Sequence, residues 1–315
     1  MRVAITGGTG FVGRHLARAL VTNGNAVVLI ARGKDQREPA IFGLHDASFF
    51  SSDLSNIAEL AKAVSGCDAV VHCAGINREI GQQTYQRVHI DATKNVIDAA
   101  RRAGVHKIVL LSFLRARPNC RSAYHESKWV AEELVRLSGL DYTIFKAGVI
   151  YGRGDHMLDH LSHALFTFPL FGLVGMTDKR MRPLAVEDLV HVLEASLSDS
   201  GLSRRTFHIT GPEEMTLREA VRRVGHAIGR VPAFIRMPVA AHQVIAWFAE
   251  RTMKIPLTSL AQVRILAEGL VEAAPPCDTL PADLEPTTGF TPEQIQKHLP
   301  EPGPFRLRDL RCVRT

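Results

Sequence analysis

The first half of the chain alternates short apolar runs with segments of helical periodicity. The short runs predict buried strands, and apolar residues at three- and four-residue spacing predict helices. The predicted strands are Val3–Thr6, Ala26–Ala31, Ala47–Phe50, Ala69–Cys73, Lys107–Ser112 and Tyr142–Lys146. The predicted helices are Phe11–Val21, a helix capped by Asp53 or Ser55 that runs to about Val64, Tyr85–Ala103 and Ser122–Leu137. This alternation is typical of an α/β protein with a doubly wound parallel sheet.

Beyond Gly152 the alternation is less regular. A helix over Val186–Leu197 and a strand at Thr206–Ile209 are expected to return to the main sheet, and Thr216 and Glu219 have the spacing of a capping box. Further predicted segments are the helices Val239–Met253 and Ser259–Leu270 and a proline-rich loop over Ala274–Pro286.

Composition narrows the class of protein. The 315 residues are 46% hydrophobic and 22% charged, which is typical of a soluble globular chain. The net charge is +6, yet the basic residues are scattered, apart from a tail with Arg306, Arg308, Arg311 and Arg314. No basic stripe is interleaved with aromatic residues, so we expect an anionic small molecule and no nucleic acid as partner.

The cellular compartment is predicted from cysteines and from apolar runs. The spacing of the five cysteines fits neither a disulfide framework nor a zinc ribbon, which favours a reducing compartment. The chain opens directly on a strand, and no apolar run has the length of a membrane span. We therefore expect a cytoplasmic protein and leave contact with a membrane surface open.

A glycine-rich turn follows the first predicted strand and opens the first predicted helix. Gly7 allows a sharp turn, Gly10 lets a pyrophosphate approach the backbone, and Gly13 lets the helix lie close to the sheet. The amides and the positive dipole end of the helix then face the phosphates. The predicted dinucleotide-binding residues of this turn are Gly7, Thr9, Gly10, Phe11, Val12 and Gly13.

Residues after the later strands indicate which dinucleotide binds. Proteins that bind NAD usually carry an acidic residue after the second strand, where this chain has Arg32. A guanidinium can pair with a 2′-phosphate, so the predicted cofactor is NADP(H). After the third strand, Asp53 and Leu54 are expected near the adenine, and after the fourth, Ala74 and Gly75 leave room for the ribose.

Tyr124 and Lys128 are the candidate catalytic pair. Their i,i+4 spacing on a predicted helix places both on one face. A free tyrosine is a poor base at neutral pH, and a neighbouring ammonium and an oxidised nicotinamide would lower its pKa. The phenol could then exchange a proton with a substrate oxygen, while Lys128 holds the nicotinamide ribose.

In this order, these motifs resemble the short-chain dehydrogenase/reductase superfamily. The segments Arg182–Leu189 and Ile209–Glu219 resemble its extended or atypical branch, which includes nucleoside-diphosphate-sugar epimerases and the NAD(P)H-binding accessory subunit of respiratory complex I. The resemblance runs to about Gly229. It implies that residues 1–152 form an NADP(H)-binding Rossmann core. It also implies that 153–315 form a mixed region, in which about 183–210 return to the core and part forms a small substrate lobe.

The resemblance implies a carbonyl/alcohol oxidoreductase with Tyr124 as acid/base. It also implies a catalytic serine near the end of the fifth strand, for which Ser112 is the candidate, although alignment by the strand points to Leu114. The branch's usual Arg-Pro is replaced by Lys146 and Ala147. Two alternatives therefore stay open: a non-catalytic NADPH-binding accessory protein of a membrane redox complex, and a nucleoside-diphosphate-sugar epimerase or dehydratase.

Three weaker patterns concern the second half. His156, His160 and His163 share a helix face, but no glutamate base accompanies them, and we predict no metal site. The apolar segment 164–176 belongs to the core, forms a subunit interface, or lines a site for a hydrophobic substrate. Arg180 and Arg182 either bind a substrate diphosphate or face solvent. The helix Val239–Met253 is interpreted as a packing helix, with a membrane-resting helix as the alternative.

Overall fold

A computed structural model describes residues 1–33, 39–253, 258–299 and 303–304. Its strands are, in chain order, β1 (Arg2–Thr6), β2 (Ala26–Ala31), β3 (Ala47–Ser51), β4 (Ala69–His72), β5 (Lys107–Phe113), β6 (Asp141–Ala147), β7 (Ile150–Tyr151), β8 (Leu170–Val174), β9 (Arg180–Met181), β10 (Leu184–Ala185), β11 (Arg205–Ile209), β12 (Met215–Thr216) and β13 (Ala233–Met237). The basic tail and Cys312 lie outside the described residues.

The helices follow the predicted periodicity closely. They are α1 (Phe11–Thr22), α2 (Ile57–Val64), α3 (Ala92–Arg102), α4 (Ala123–Arg136), α5 (His156–Thr167), α6 (Val186–Ala195), α7 (Leu217–Ala227), α8 (Val239–Thr252), α9 (Leu260–Glu268) and α10 (Pro292–His298). The predicted helix Tyr85–Ala103 is two segments, because a π-helix over Gln86–Asp91 precedes α3.

The chain divides into two units that each combine distant segments. Unit 1 consists of Met1–Ala147, Val186–Ile209 and Ala273–Glu285. Unit 2 consists of Gly148–Ala185, Thr210–Glu272 and the described part of 286–315.

Unit 1 is a seven-stranded parallel sheet in the order β11-β6-β5-β4-β1-β2-β3, which confirms the predicted doubly wound Rossmann-type fold. Alternate strand residues such as Ala4, Val70 and Ile108 face α2, α3 and α4 and form one buried cluster with them. Helix α1 packs with α6. Burial on both faces explains why these strands are apolar throughout.

Two predicted helix caps need correction. Helix α2 is capped by Asn56, whose side chain accepts from the amides of Ala58 and Glu59. Asp53 instead accepts from the amide and hydroxyl of Ser55. In unit 2, Thr216 caps α7 as predicted, but the side chain of Glu219 pairs with Arg223 at 2.8 Å rather than closing a capping box.

Unit 2 contains short strand pairs and helices. β8 pairs with β13, β7 with β10 and β9 with β12. Helices α7 and α10 pack together, as do α8 and α9. The apolar segment 164–176 forms the end of α5 and all of β8.

Candidate active site

The glycine turn closes tightly on the first helix of unit 1. Gly7 has a φ of +69°, a conformation that favours glycine, and a Cβ there would lie 2.9 Å from the backbone of Ala74. A Cβ on Gly13 would press against the carbonyl oxygen of Gly7, closer than van der Waals contact allows. The turn can adopt this shape only because these positions lack side chains.

This turn fits a dinucleotide pyrophosphate. Gly10 is the N-cap of α1 and supplies no side-chain hydrogen bond to the first turn. The amide of Arg14 is the first to bond back, to the carbonyl of Gly10 at 3.0 Å. The amides of residues 11–13 therefore remain for an anion at the positive end of the helix. Thr9 and Val12 are buried, Phe11 is half-buried and Gly10 is exposed.

The predicted adenosine-side residues follow β2 and β3. Arg32 comes one residue after β2 and is exposed. Leu54 is buried with a left-handed φ of 66°, and the side-chain amide of Asn95 donates to its carbonyl at 2.9 Å. Hydrogen bonds from Ser55 lower the pKa of Asp53, so this exposed carboxylate is ionised at neutral pH.

The segment after β4 lies against α4, which carries the candidate catalytic pair. A Cβ on Gly75 would lie 3.1 Å from Nζ of Lys128, so the absence of a side chain leaves room for the ammonium. That Nζ donates to the carbonyl of Leu111 at 3.3 Å. Ala74 is half-buried next to Gly7. The structure thus brings together the predicted residues Gly7, Ala74, Gly75 and Lys128.

Tyr124 lies in a cluster of rings on the same face of α4. Its ring centroid is 5.3 Å from Phe113, 5.6 Å from His125, and 5.7 Å from both Tyr85 and His89, all with edge-on geometry. The side chain is buried. These rings fix the orientation of the phenol.

The pKa values correct one expectation. Burial, reinforced by Tyr85, raises the pKa of Tyr124, rather than Lys128 lowering it. Burial lowers the pKa of Lys128 to about 8, opposed by the nearby Cys73 and Glu132. The protein alone therefore holds Tyr124 as a phenol, which suits it to donate a proton.

A chain of buried hydrogen bonds runs beside this pair. His72 ends β4, and its Nδ1 lies 2.6 Å from the hydroxyl of Thr6 while its Nε2 lies 3.0 Å from that of Thr93. The Thr93 hydroxyl donates to the carbonyl of His89 at 2.5 Å. His89, on the π-helix, lies with Nδ1 2.8 Å from the hydroxyl of Ser127.

The donors in this series of hydrogen bonds fix the tautomers of His72 and His89. The amide of Ile76 donates to Nε2 of His89 at 3.1 Å, so the hydrogen of His89 is on Nδ1 and points to Ser127. The Ser127 hydroxyl then donates to the carbonyl of Tyr124. Because Thr93 donates to His89, His72 must donate to Thr93 through Nε2 and accept from Thr6. Burial and the charge of Lys128 lower the pKa of both imidazoles, that of His72 to about 3, which keeps them neutral.

Ser112 has a different partner from the predicted one. Its hydroxyl donates to Glu132 on α4 at 2.5 Å. Glu132 also accepts from Arg136 at 3.0 Å and pairs with Lys146 at 3.4 Å, and both Glu132 and Lys146 are fully buried. This contact engages the Ser112 hydrogen, and the substrate-orienting role of Ser112 stays a prediction. The buried Glu132 also explains the lysine at position 146, which neutralises this carboxylate.

Two predicted features and one helix cap that was not predicted belong to unit 2. Among the described residues, no group of three or more histidine, cysteine, aspartate or glutamate side chains is arranged to hold a metal ion. Arg180 and Arg182 both pair with Glu214, at 2.6 and 3.5 Å. Asp155 caps α5 and accepts from Leu158 and Gly152 at 2.6 Å, and burial raises its pKa to about 7.

Sequence reasoning missed His72, His89, Ser127 and Glu132. The i,i+4 spacing of Tyr85 and His89 at the start of a predicted helix could have indicated that these two rings lie together. Glu132 follows Lys128 by one helical turn, which could have indicated that it lies on the same face. Neither spacing indicates a partner on another element.

Comparison with known proteins places the chain among NAD(P)H-binding proteins. Residues 7–157 match a family profile described as NAD(P)H-binding. A ceramide reductase of Caulobacter vibrioides is 29% identical over 296 residues, covering 92% of both chains. The mitochondrial NADH-ubiquinone oxidoreductase 40 kDa subunit of Neurospora crassa is 23% identical, over 82% of this chain and 68% of that protein. The chain spans 24% of a Mycobacterium tuberculosis relative that is 28% identical.

Comparison with solved structures shows a shared fold. A UDP-glucuronic acid 4-epimerase of Bacillus cereus, solved with UDP-glucuronic acid and NAD, superposes with a TM-score of 0.70 at 16% identity, over 95% of this chain and 98% of that one. The profile match and the curated relatives confirm the resemblance to the short-chain dehydrogenase/reductase superfamily, and the epimerase structure shows a shared fold. The proteins to which the chain is similar thus include a reductase and an epimerase.

Proposed function

We propose that this protein is an NADP(H)-dependent oxidoreductase that acts at a carbonyl or alcohol carbon, with Tyr124 as acid/base. The observation that carries the proposal is the placement of Tyr124 and Lys128 on one face of α4, with the Lys128 ammonium against Gly75 of the segment after β4. That segment also contacts Gly7 of the predicted pyrophosphate turn. The face of α4 that carries Tyr124 and Lys128 therefore lies beside the predicted dinucleotide site.

Each side chain has a role in this proposal. When bound, the nicotinamide supplies or accepts the hydride. Tyr124, held as a phenol by burial, donates a proton to the substrate oxygen during reduction. Lys128 holds the ribose and stabilises the resulting phenolate. His89 is a positioning residue, because it fixes both Ile76 after β4 and Ser127 beside Tyr124.

The cofactor and substrate are the finer parts of the proposal. Arg32 is expected to pair with the 2′-phosphate, since it is exposed directly after β2 where NAD-binding proteins place a carboxylate. We propose a hydrophobic carbonyl substrate. The ceramide reductase relative supports it, and so does Glu214, which pairs with both of the arginines that a diphosphate would need.

The test is NADPH oxidation with a panel of long-chain ketones, quinones and nucleoside-diphosphate sugars. Tyr124→Phe should lower turnover by about 100-fold or more, because a general acid contributes that much, while NADPH affinity is retained. The matched control is Tyr142→Phe, a half-buried tyrosine on β6. Equal turnover by wild type and Tyr124→Phe would refute the proposed role.

A non-catalytic NADPH-binding accessory role is the second candidate. The partner of the Ser112 hydroxyl and the respiratory complex I relative favour it. Tight NADPH binding without turnover of any substrate in the panel is the outcome expected for that role. An epimerase or dehydratase would instead convert a sugar nucleotide without net consumption of NADPH.

A further inference from the structure

Helix α8 of unit 2 carries its large apolar side chains on the outside. Val244, Ile245, Trp247 and Phe248 are all exposed, and 57% of the Phe248 surface is accessible. A helix that packs on a protein core usually shows the opposite arrangement. The packing-helix interpretation from the sequence therefore describes only the opposite face of α8.

The inner face of α8 is made of smaller or polar residues. Ala246 and Ala249 are buried, and Ala246 packs with Val174 and Val263. His242 is buried with its Nε2 3.3 Å from the carbonyl of Gly172. The fold of unit 2 thus holds α8 in place without using its large side chains.

The same region exposes further apolar side chains. β13 leads through Pro238 into α8 and pairs with β8. The exposed members of this region are Phe168, Leu170, Val231 and Ile235. We call these residues, together with Val244, Ile245, Trp247 and Phe248, the α8 surface. Large exposed apolar areas mark interaction sites.

Arginines accompany the aromatic rings of this region. The guanidinium of Arg251 lies 3.8 Å from the ring centroid of Trp247, and that of Arg230 lies 5.2 Å from Phe166. The segment 217–253 contains six arginines against two glutamates. Arg218 and Arg236 pair with Asp178, and Arg223 pairs with Glu213 and Glu219, which leaves the other arginines of the segment in excess over its remaining glutamate. The segment therefore keeps an excess of positive charge.

We propose that the α8 surface docks onto an anionic lipid bilayer. Exposed Trp and Phe flanked by arginine are the groups that partition into the headgroup region of a membrane. A second copy of this chain is a poorer occupant, since a two-fold contact would place like charges opposite each other. No helix in the described part of the chain is long and apolar enough to cross a membrane, so α8 would lie in the interface plane.

The first experiment is co-sedimentation of the full-length protein with phosphatidylcholine vesicles, with and without phosphatidylglycerol. We expect binding to the anionic vesicles that weakens as salt is added. The double variant Trp247→Gln/Phe248→Gln should lower binding to the anionic vesicles about tenfold or more, because it removes the apolar ring surface that the bilayer would bury. Each of Arg230→Gln and Arg251→Gln should lower it about fivefold.

The matched control is Leu137→Gln, since Leu137 is 79% exposed but lies on unit 1. The proposal fails if this control loses as much binding as the double variant, or if neutral and anionic vesicles bind equally. It also fails if light scattering shows a dimer that the double variant dissociates.

The second experiment follows Trp247 directly. The chain has two tryptophans, so Trp129→Phe leaves Trp247 as the fluorophore. Its emission should shift to the blue with anionic vesicles and stay unchanged with neutral ones. Sedimentation without a blue shift would place the contact elsewhere on the protein. Because neither assay needs cofactor or substrate, failure here would leave the proposed enzymatic function unaffected.

Discussion

The candidate catalytic pair shows how much one residue's chemistry depends on its surroundings. The i,i+4 spacing of Tyr124 and Lys128 was sufficient to predict a shared helix face, because a helix repeats locally. Their pKa values were not predictable in the same way. Burial raises the pKa of Tyr124 and lowers that of Lys128, and burial follows from the rings and strands around them.

Arg32 is the residue on which cofactor choice is predicted to depend. Arg32→Ala should weaken NADPH binding by about 10- to 100-fold, since a charge-assisted hydrogen bond contributes roughly 1.5–3 kcal/mol. NADH affinity should be unchanged. Titration calorimetry with both cofactors measures the ratio, and Lys62→Ala, another exposed cation, is the control. Equal losses for both cofactors would assign Arg32 to the shape of the loop instead.

His72 is predicted to make stability depend on pH. Its pKa in the folded protein is about 3, below the ordinary 6.5. Above pH 6.5 the imidazole is neutral in both states. As pH falls below 6.5 only the unfolded state takes up the proton, so the free energy of unfolding drops by up to about 1.4 kcal/mol per pH unit until the folded pKa is reached.

Urea denaturation between pH 8 and pH 5 measures this slope. His72→Gln should be less stable at pH 8, because its bonds to Thr6 and Thr93 are lost, yet lose less stability on acidification. The exposed His45→Gln variant is the control. Parallel pH profiles for wild type and His72→Gln would contradict the assignment.

At the scale of elements, α4 serves two purposes on one face. Its first half presents Tyr124 and Lys128, and its second half presents Glu132 to the buried Lys146 of β6. The sequence predicted the bounds of α4 and β6 within one or two residues. It did not predict the ion pair, because strand order and register decide which residues of separate elements meet.

Substitutions in the Glu132–Lys146 ion pair test the packing of α4 on β6. Glu132→Leu should lower the free energy of unfolding by about 3–5 kcal/mol, since it leaves the Lys146 ammonium buried without its carboxylate. Adding Lys146→Met should restore part of the loss.

Urea melts of the two variants measure the coupling. Disrupting the exposed Glu59–Lys62 pair by Glu59→Leu should cost about 1 kcal/mol or less, which makes it the control. A double variant less stable than Glu132→Leu would show that Lys146 has other essential partners.

At the scale of the whole molecule, the Rossmann-type unit depends on segments from the second half of the chain. β11 covers the edge of the sheet beside β6, and α6 packs against α1. A fragment of residues 1–152 should therefore fail to fold cooperatively and should aggregate, because β6 would become an exposed apolar edge. Circular dichroism melts and gel filtration with NADPH test this against the full chain. A monomeric fragment with a sharp melt would contradict it.

The sequence by itself determined the strands of the unit 1 sheet, the main helices and the glycine turn. These features depend on periodicity and on backbone freedom within a few neighbouring residues, as at Gly7 and Gly13. Only the tertiary structure decided that Ser112 meets Glu132, that His89 fixes Ile76 and Ser127, and that α8 turns Trp247 and Phe248 outward. Those outcomes depend on contacts between residues far apart in the chain, and no local pattern encodes which distant surfaces come together.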